Sequence, residues 1–281
     1  MALAFEAFDA TRQNAILRLL EAAVSEAAGR PLVVAWNPGR GVFEVRDDDG
    51  KPANDEPVQQ TLRRSLRRIQ RWLESGQLEA EPGQLLQGRV ERISGRDVWI
   101  EVGGALALLP AGEQIPGEPY EPGMLLPVYL LARTDLGDGL AELKVSRTHP
   151  QLVARLLERI VPEVAAGGVR ILGIVRAPGE QAKVAVVGDM GQDPVGACVG
   201  VGGYRIALLR ESLAGERIEV IRWDPDPAKY VQNALAPVPV DAVMLDPDRS
   251  EALVIVPPAH VAQAIGAHGR NVRLASRLTG W

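Results

Sequence analysis

Cysteine is almost missing from this chain: Cys198 is the only one in 281 residues. That count excludes an internal disulfide and a zinc site built on clustered thiolates. It fits a reducing compartment, so the expected location is cytoplasmic. Cys198 lies in an apolar run and reads as a small buried hydrophobe, not a nucleophile. Long apolar runs are also lacking. None approaches 18 residues, so neither a membrane span nor a membrane partner is expected. Met1 to Ala10 has no basic start and carries Glu6 and Asp9, unlike a signal peptide. The three histidines, His149, His260 and His268, are scattered singly, without metal-ligand spacing. No Gly-x-x-x-x-Gly-Lys-Ser/Thr loop occurs, and Gly200-Val201-Gly202 fails as a dinucleotide fingerprint because Arg205 stands where glycine is needed. No catalytic residue, metal or cofactor is expected.

A basic excess is missing too. The net charge is −5, with 31 basic and 36 acidic residues. Residues 1–80 carry 11 basic against 12 acidic groups, residues 81–147 carry 6 against 10, and residues 148–281 carry 14 against 14. Any nucleic-acid site must then be a local concentration of charge, with modest affinity.

What the chain does have is a phrase that occurs twice. Val195 to Leu209 and Val261 to Ala275 are each an apolar run, a Gly-x-x-Gly and a basic residue opening a helical pattern. The two loops are 66 residues apart, about one small α/β module. Glycine lets a backbone lie close against such a loop, and the following helix offers free N–H groups and a positive dipole end to a phosphate. Gly-x-x-Gly between two helices is the RNA backbone clamp of KH domains. The candidate RNA-binding residues are Gly200, Val201, Gly202, Gly203, Tyr204 and Arg205 in the first copy. In the second they are Gly266, Ala267, His268, Gly269, Arg270, Asn271 and Arg273. Neither loop has a lysine or arginine between its glycines. Backbone N–H groups with Arg205, Arg270 and Arg273 should therefore do most of the clamping, with a shallow salt dependence.

In chain order, Arg12 to Ala28 repeats apolar residues at helical spacing and stops at Gly29. Leu32 to Trp36 and Gly41 to Arg46 predict a hairpin around Asn37-Pro38-Gly39-Arg40. Pro57 to Ser75 is an amphipathic helix with Arg63, Arg64, Arg67, Arg68 and Arg71 off its apolar stripe. These arginines are either a solvated face or a contact for an acidic partner. Five short β-like runs between Gln87 and Ser146 predict an OB-type barrel. Its candidate stacking rings are few: Trp99, Tyr120 and Tyr129. With more acids than bases, the barrel reads as a weak RNA contact or a spacer. Pro150 to Val164 predicts one helix, and strands Val169 to Val175 and Lys183 to Val187 follow. After the first loop comes strand Arg217 to Trp223. The second copy begins with a helix from Asp226 to Leu235, N-capped by Asp224 or Asp226. It then shows strands Val240 to Asp246 and Ala252 to Val256, and no third strand.

Long strings carry a family resemblance: Asp193 to Gly200, Ile218 to Asp224, Pro227 to Pro237 and Gly269 to Trp281. These resemble the NusA family of bacterial transcription factors. So do Leu109-Pro110, Gln114 to Tyr120 and Leu143 to Pro150. The resemblance implies a multidomain α/β and β fold. It would comprise an N-terminal α+β polymerase-binding domain (1–80), an S1-type OB β-barrel (81–147) and two tandem type II KH α/β domains (148–225 and 226–281, the second without its last strand). The implied partners are RNA polymerase, single-stranded nascent RNA and other transcription elongation factors, with the chain itself a monomer. The implied role is modulation of pausing, termination and antitermination, and Arg63, Arg64, Arg67, Arg68 and Arg71 are the implied polymerase contact. Between the hairpin and the arginine helix the chain is shorter than the family pattern. The rival reading is an accessory subunit of an RNA-processing or RNA-degrading enzyme. There KH precedes S1 and follows a large catalytic core; here the order is reversed and no such core is present.

Overall fold

The computed structural model describes residues 5–8, 10–74, 80–137 and 140–281. Helix α1 (Ala10–Ala28), a hairpin of β1 (Val33–Asn37) and β2 (Val42–Arg46), and helix α2 (Glu56–Glu74) enclose the first core. Ile16, Leu20 and Val24 of α1 meet Val58, Leu62 and Ile69 of α2, with Val34 and Val45 from the hairpin. The Asn37-Pro38-Gly39-Arg40 turn closes the hairpin as expected, Gly41 N–H donating to the Asn37 carbonyl at 2.9 Å.

Next comes a closed barrel of β3 (Leu85–Ser94), β4 (Asp97–Val102), β5 (Ala105–Leu109), β6 (Leu125–Gly137) and β7 (Leu140–Ser146), in the order β3-β4-β5-β7-β6. Pairing of β6 with β3 removes the free edge. Side chains alternate inward along the strands, so Val98, Ile100 and Val102 of β4 share the barrel core with Leu126, Val128 and Leu130 of β6. Gly88 of β3 is the narrow point. A Cβ there would fall within the envelope of Ile100 Cγ2 and 3.3 Å from Val102 Cγ2. Gly88→Ala should therefore overpack the barrel and destabilise it by about 1–3 kcal/mol, read as an earlier denaturant midpoint. A midpoint equal to the parent's would show that the barrel yields at this point.

The first α/β module holds α3 (Pro150–Ile160), α4 (Pro162–Ala165), β8 (Val169–Ala177), β9 (Gln181–Gly188), α5 (Pro194–Val199), α6 (Tyr204–Ser212) and β10 (Arg217–Arg222). The single helix expected over Pro150 to Val164 is in fact two. Pro162 has no N–H and pushes the residue before it out of the helical region, leaving Val161 extended at φ −112° and ψ 101°. In the sheet, β8 runs antiparallel to β9, and β10 lies parallel on β9's other side. This is the expected helix–strand–strand–helix–helix–strand order. Cys198 is fully buried in this core, as expected, and burial pushes its thiol up to about 11.

The second module repeats the plan with α7 (Pro227–Ala234), β11 (Ala242–Asp246), β12 (Glu251–Ile255), α8 (Val261–Ile265) and α9 (Arg270–Thr279). Asp226 N-caps α7 through the Ala228 N–H at 3.0 Å. Its sheet has two strands, as the sequence implies.

Buried charges join these bodies. Arg147, 1% exposed, pairs with Glu118 and donates to the carbonyls of Pro127 (2.8 Å) and Ser212 (3.0 Å), so barrel and first module share one guanidinium. Arg176 forms a forked pair with Glu216 and donates to the Arg147 carbonyl at 2.8 Å. Lys183 pairs with Glu219 and reaches the Ala234 carbonyl of α7 at 2.8 Å. Burial holds its ammonium below the ordinary lysine range, and Glu219 opposes that shift.

Candidate nucleic-acid interface

The twice-occurring phrase folds into the same loop twice. In the first, α5 stops at Gly200 (φ 75°, ψ 169°), a single 3-10 turn spans Val201–Gly203, and Gly203 (φ 79°) opens α6. In the second, α8 stops at Gly266 (φ 74°, ψ 171°), the turn spans Ala267–Gly269, and Gly269 (φ 72°) opens α9. Four left-handed positions at these places explain the glycines, because an L side chain is strained there. The match is residue by residue: Gly202 (φ 61°) corresponds to His268 (φ 52°), a non-glycine in left-handed geometry. No side chain caps α6 or α9, so both helix N-termini face the loops uncapped.

Val201, Gly202, Ala267 and His268 are exposed, and a Cβ on Gly202 would meet nothing within 4 Å. Tyr204, 67% exposed, stands beside the first loop. Arg273 is exposed at the second, with no ion pair among the described residues. These are the groups left open to a strand laid across the loops.

Arg205 and Asn271, grouped with them in the sequence, turn inward instead. Arg205 Nη1 donates to the Ala197 carbonyl (2.6 Å) and to Glu163 Oε2 (2.8 Å). Asn271, at the matching position, is buried and donates from Nδ2 to the Ala264 carbonyl at 2.9 Å. Each braces the end of the helix before its loop. Each also explains the first glycine: a Cβ on Gly200 would lie 2.7 Å from Arg205 Cγ, and one on Gly266 would lie 2.7 Å from Asn271 Cβ. Arg270, 24% exposed, is tied at 2.6 Å to Glu180 in the β8–β9 turn of the first module. Sequence reasoning missed Glu163 and Glu180, because neither lies within the repeated phrase.

In the barrel, the candidate stacking rings lie against other side chains. Arg92 covers Trp99 at 5.0 Å from the ring centroid and pairs with Glu26 of α1. Tyr129 stacks on His149 at 4.5 Å, and the Tyr120 hydroxyl donates to Glu118 at 2.6 Å. All three rings singled out in the barrel thus have protein partners. On α2, Arg63, Arg64 and Arg67 are exposed; the side chains of Arg68 and Arg71 lie outside the described residues. Arg64 and Arg67 line a groove of about 500 Å³ between α1, α2 and β3. No helix among the described residues is long and apolar enough to cross a membrane, and these residues hold no His/Cys/Asp/Glu group arranged to bind a metal.

Comparison with known proteins agrees with this geometry. The family described as NusA-like first KH domain matches residues 147–223, and that described as NusA-like second KH domain matches residues 227–281. The chain is 40% identical over 248 residues to the transcription termination/antitermination protein NusA of Thermus thermophilus, covering 85% of this chain and 64% of that protein. Against the protein of the same name from Halalkalibacterium halodurans it is 32% identical, covering 97% of this chain and 75% of that protein. The Bacillus subtilis protein of that name is 35% identical, covering 85% of this chain and 64% of its own length. The chain thus spans just under two thirds of the first and third relatives and three quarters of the second. With its twin loops, closed barrel and a relative matched along nearly its whole length, the chain belongs to the NusA family.

Proposed function

We propose that this chain is an RNA-binding transcription elongation factor that rides on RNA polymerase and modulates pausing, termination and antitermination. The observation that carries the reading is the pair of matched Gly-x-x-Gly loops, each open to solvent and followed by an uncapped helix N-terminus. Single-stranded nascent RNA is the ligand such loops fit, gripped along its backbone. The reading assigns no catalysis. It divides the chain as 1–80 for polymerase, 81–147 as a barrel acting mainly as a spacer, and 148–225 with 226–281 for RNA.

Polymerase contact through α2 rests on Arg63, Arg64 and Arg67, which face solvent from one helix. Charge pairing of that kind weakens as salt screens it. The test uses the full chain and its Arg63→Glu/Arg64→Glu/Arg67→Glu variant in co-precipitation with RNA polymerase. The parent should be retained with an efficiency that falls as salt rises, and the triple variant lost at low salt. Equal retention of both would remove α2 from the contact.

A further inference from the structure

The two loops share a feature beyond their backbones: the arginine beside each is neutralised by a carboxylate from elsewhere in the first module. Arg205 meets Glu163, the second residue of α4, at 2.8 Å. Arg270 meets Glu180, in the β8–β9 turn, at 2.6 Å. Both carboxylates are partly exposed, with side chains 38% and 52% accessible, so neither is needed to satisfy a buried charge. Glu163's carboxyl is held below the usual carboxylate range, first by a hydrogen bond from its own backbone amide and then by Arg205. Arg205 is further fixed by the Ala197 carbonyl, and the turn carrying Glu180 is wedged against the barrel, where a Cβ on Gly179 would lie 2.8 Å from Ile115 Cγ2. Both arginines are thus held to the protein by a carboxylate.

We propose that Glu163 and Glu180 are specificity-determining residues that withhold the loop arginines from phosphate, keeping recognition on the loop backbone, Tyr204 and Arg273. Rigid backbone and stacking contacts depend on the path and bases of the strand, whereas free cations attract any phosphate. A chain with net charge −5 that must leave one RNA for another gains from such suppression of unspecific attraction. The inference rests on the RNA-binding reading above.

The test compares the parent with Glu163→Gln/Glu180→Gln, which keeps shape and removes two charges. Binding of a uridine oligomer and of a mixed-sequence single strand is measured across salt. Two released cations should steepen the log–log salt slope by about 1.4, at roughly 0.7 per phosphate contact on a single strand. The double variant should bind tighter at low salt, and its advantage should shrink about sevenfold between 50 and 200 mM salt. Its preference between the two RNAs should narrow. Glu163→Gln alone, which leaves the Arg270–Glu180 tie between the modules intact, should give about half the slope change. An unchanged slope with equal or weaker affinity would overturn the inference. Gly202→Asp/His268→Asp measured alongside separates the two ideas. If that variant loses RNA while the glutamine variant keeps the parent's slope, only the carboxylate role falls. If it binds as the parent does, the loops are not the RNA site and both fall.

Discussion

Gly202→Asp combined with His268→Asp should lower affinity for single-stranded RNA by at least about 100-fold while leaving the chain folded. The two positions correspond in the matched loops and face solvent. A carboxylate at each lies where a phosphate would pass. Like charges about 4 Å apart repel by about 1 kcal/mol in bulk water and about 4 kcal/mol at the effective dielectric near a protein surface. At the near-surface value, two such contacts, about 8 kcal/mol, exceed the roughly 2.8 kcal/mol that a 100-fold loss requires. The fold should tolerate the change. Asp is among the residues that visit the left-handed region most readily, a Cβ at Gly202 meets open space, and His268 already occupies that region. The expected cost is roughly 1–2 kcal/mol, a fall in melting temperature of no more than about 8 °C. Gly269 is the poorer choice for the second loop: it sits at φ 72°, and a Cβ there would lie 3.4 Å from Arg273 Nη1. Electrophoretic or anisotropy titration with a single-stranded RNA reads the outcome. A folded double variant that binds RNA as tightly as the parent would falsify the clamp.

The largest loss of stability is expected from Glu216→Ala. Glu216 is fully buried, accepts from both Nε and Nη2 of Arg176 at 2.8 Å, and accepts from the Gly179 N–H at 2.8 Å. Its removal leaves a buried guanidinium without a counter-charge and an amide without this acceptor. Breaking a buried pair in this way costs about 3–5 kcal/mol, against roughly 0–1 kcal/mol for an exposed one. At about 2–4 °C per kcal/mol, the melting temperature should fall by some 6–20 °C. Because Arg176 also holds the Arg147 and His149 carbonyls, the seam between barrel and first module should loosen in the same transition. Glu158→Ala, which removes the exposed partner of Arg155, is the control and should move the midpoint by little. A Glu216→Ala midpoint within a degree or two of the parent's would mean the pair contributes no net stability.

Much of this protein was legible without coordinates, and the reason is periodicity. Apolar spacing of three and four residues marked α1 and α2, because such a pattern must place its apolar residues on one buried face, and short β-like runs marked the barrel strands. The repeated Gly-x-x-Gly was equally readable, since left-handed backbone restricts residue choice at single positions. Local chemistry also broke one reading: Pro162 splits the helix after Ile160, a boundary the apolar stripe concealed.

What the sequence could not decide is where the charges go. Arg205, Arg270, Arg273 and Asn271 look alike in a string as polar residues beside a glycine loop. Only the packing separates them, turning Arg205 onto Glu163 and the Ala197 carbonyl, tying Arg270 to Glu180, burying Asn271 and leaving Arg273 open. Trp99 likewise reads as a candidate stacking platform in the sequence, and only the fold places Arg92 over its ring. Periodicity reports which face of an element is buried, a local property of the chain. The partner of a long polar side chain depends on which distant elements lie within a few ångströms of it: Glu163 and Arg205 are 42 residues apart, Arg176 and Glu216 are 40. Such pairings follow from tertiary contact, so the sequence by itself determined the modules and the loops, and the tertiary structure decided which cations beside those loops are paired and which stay exposed.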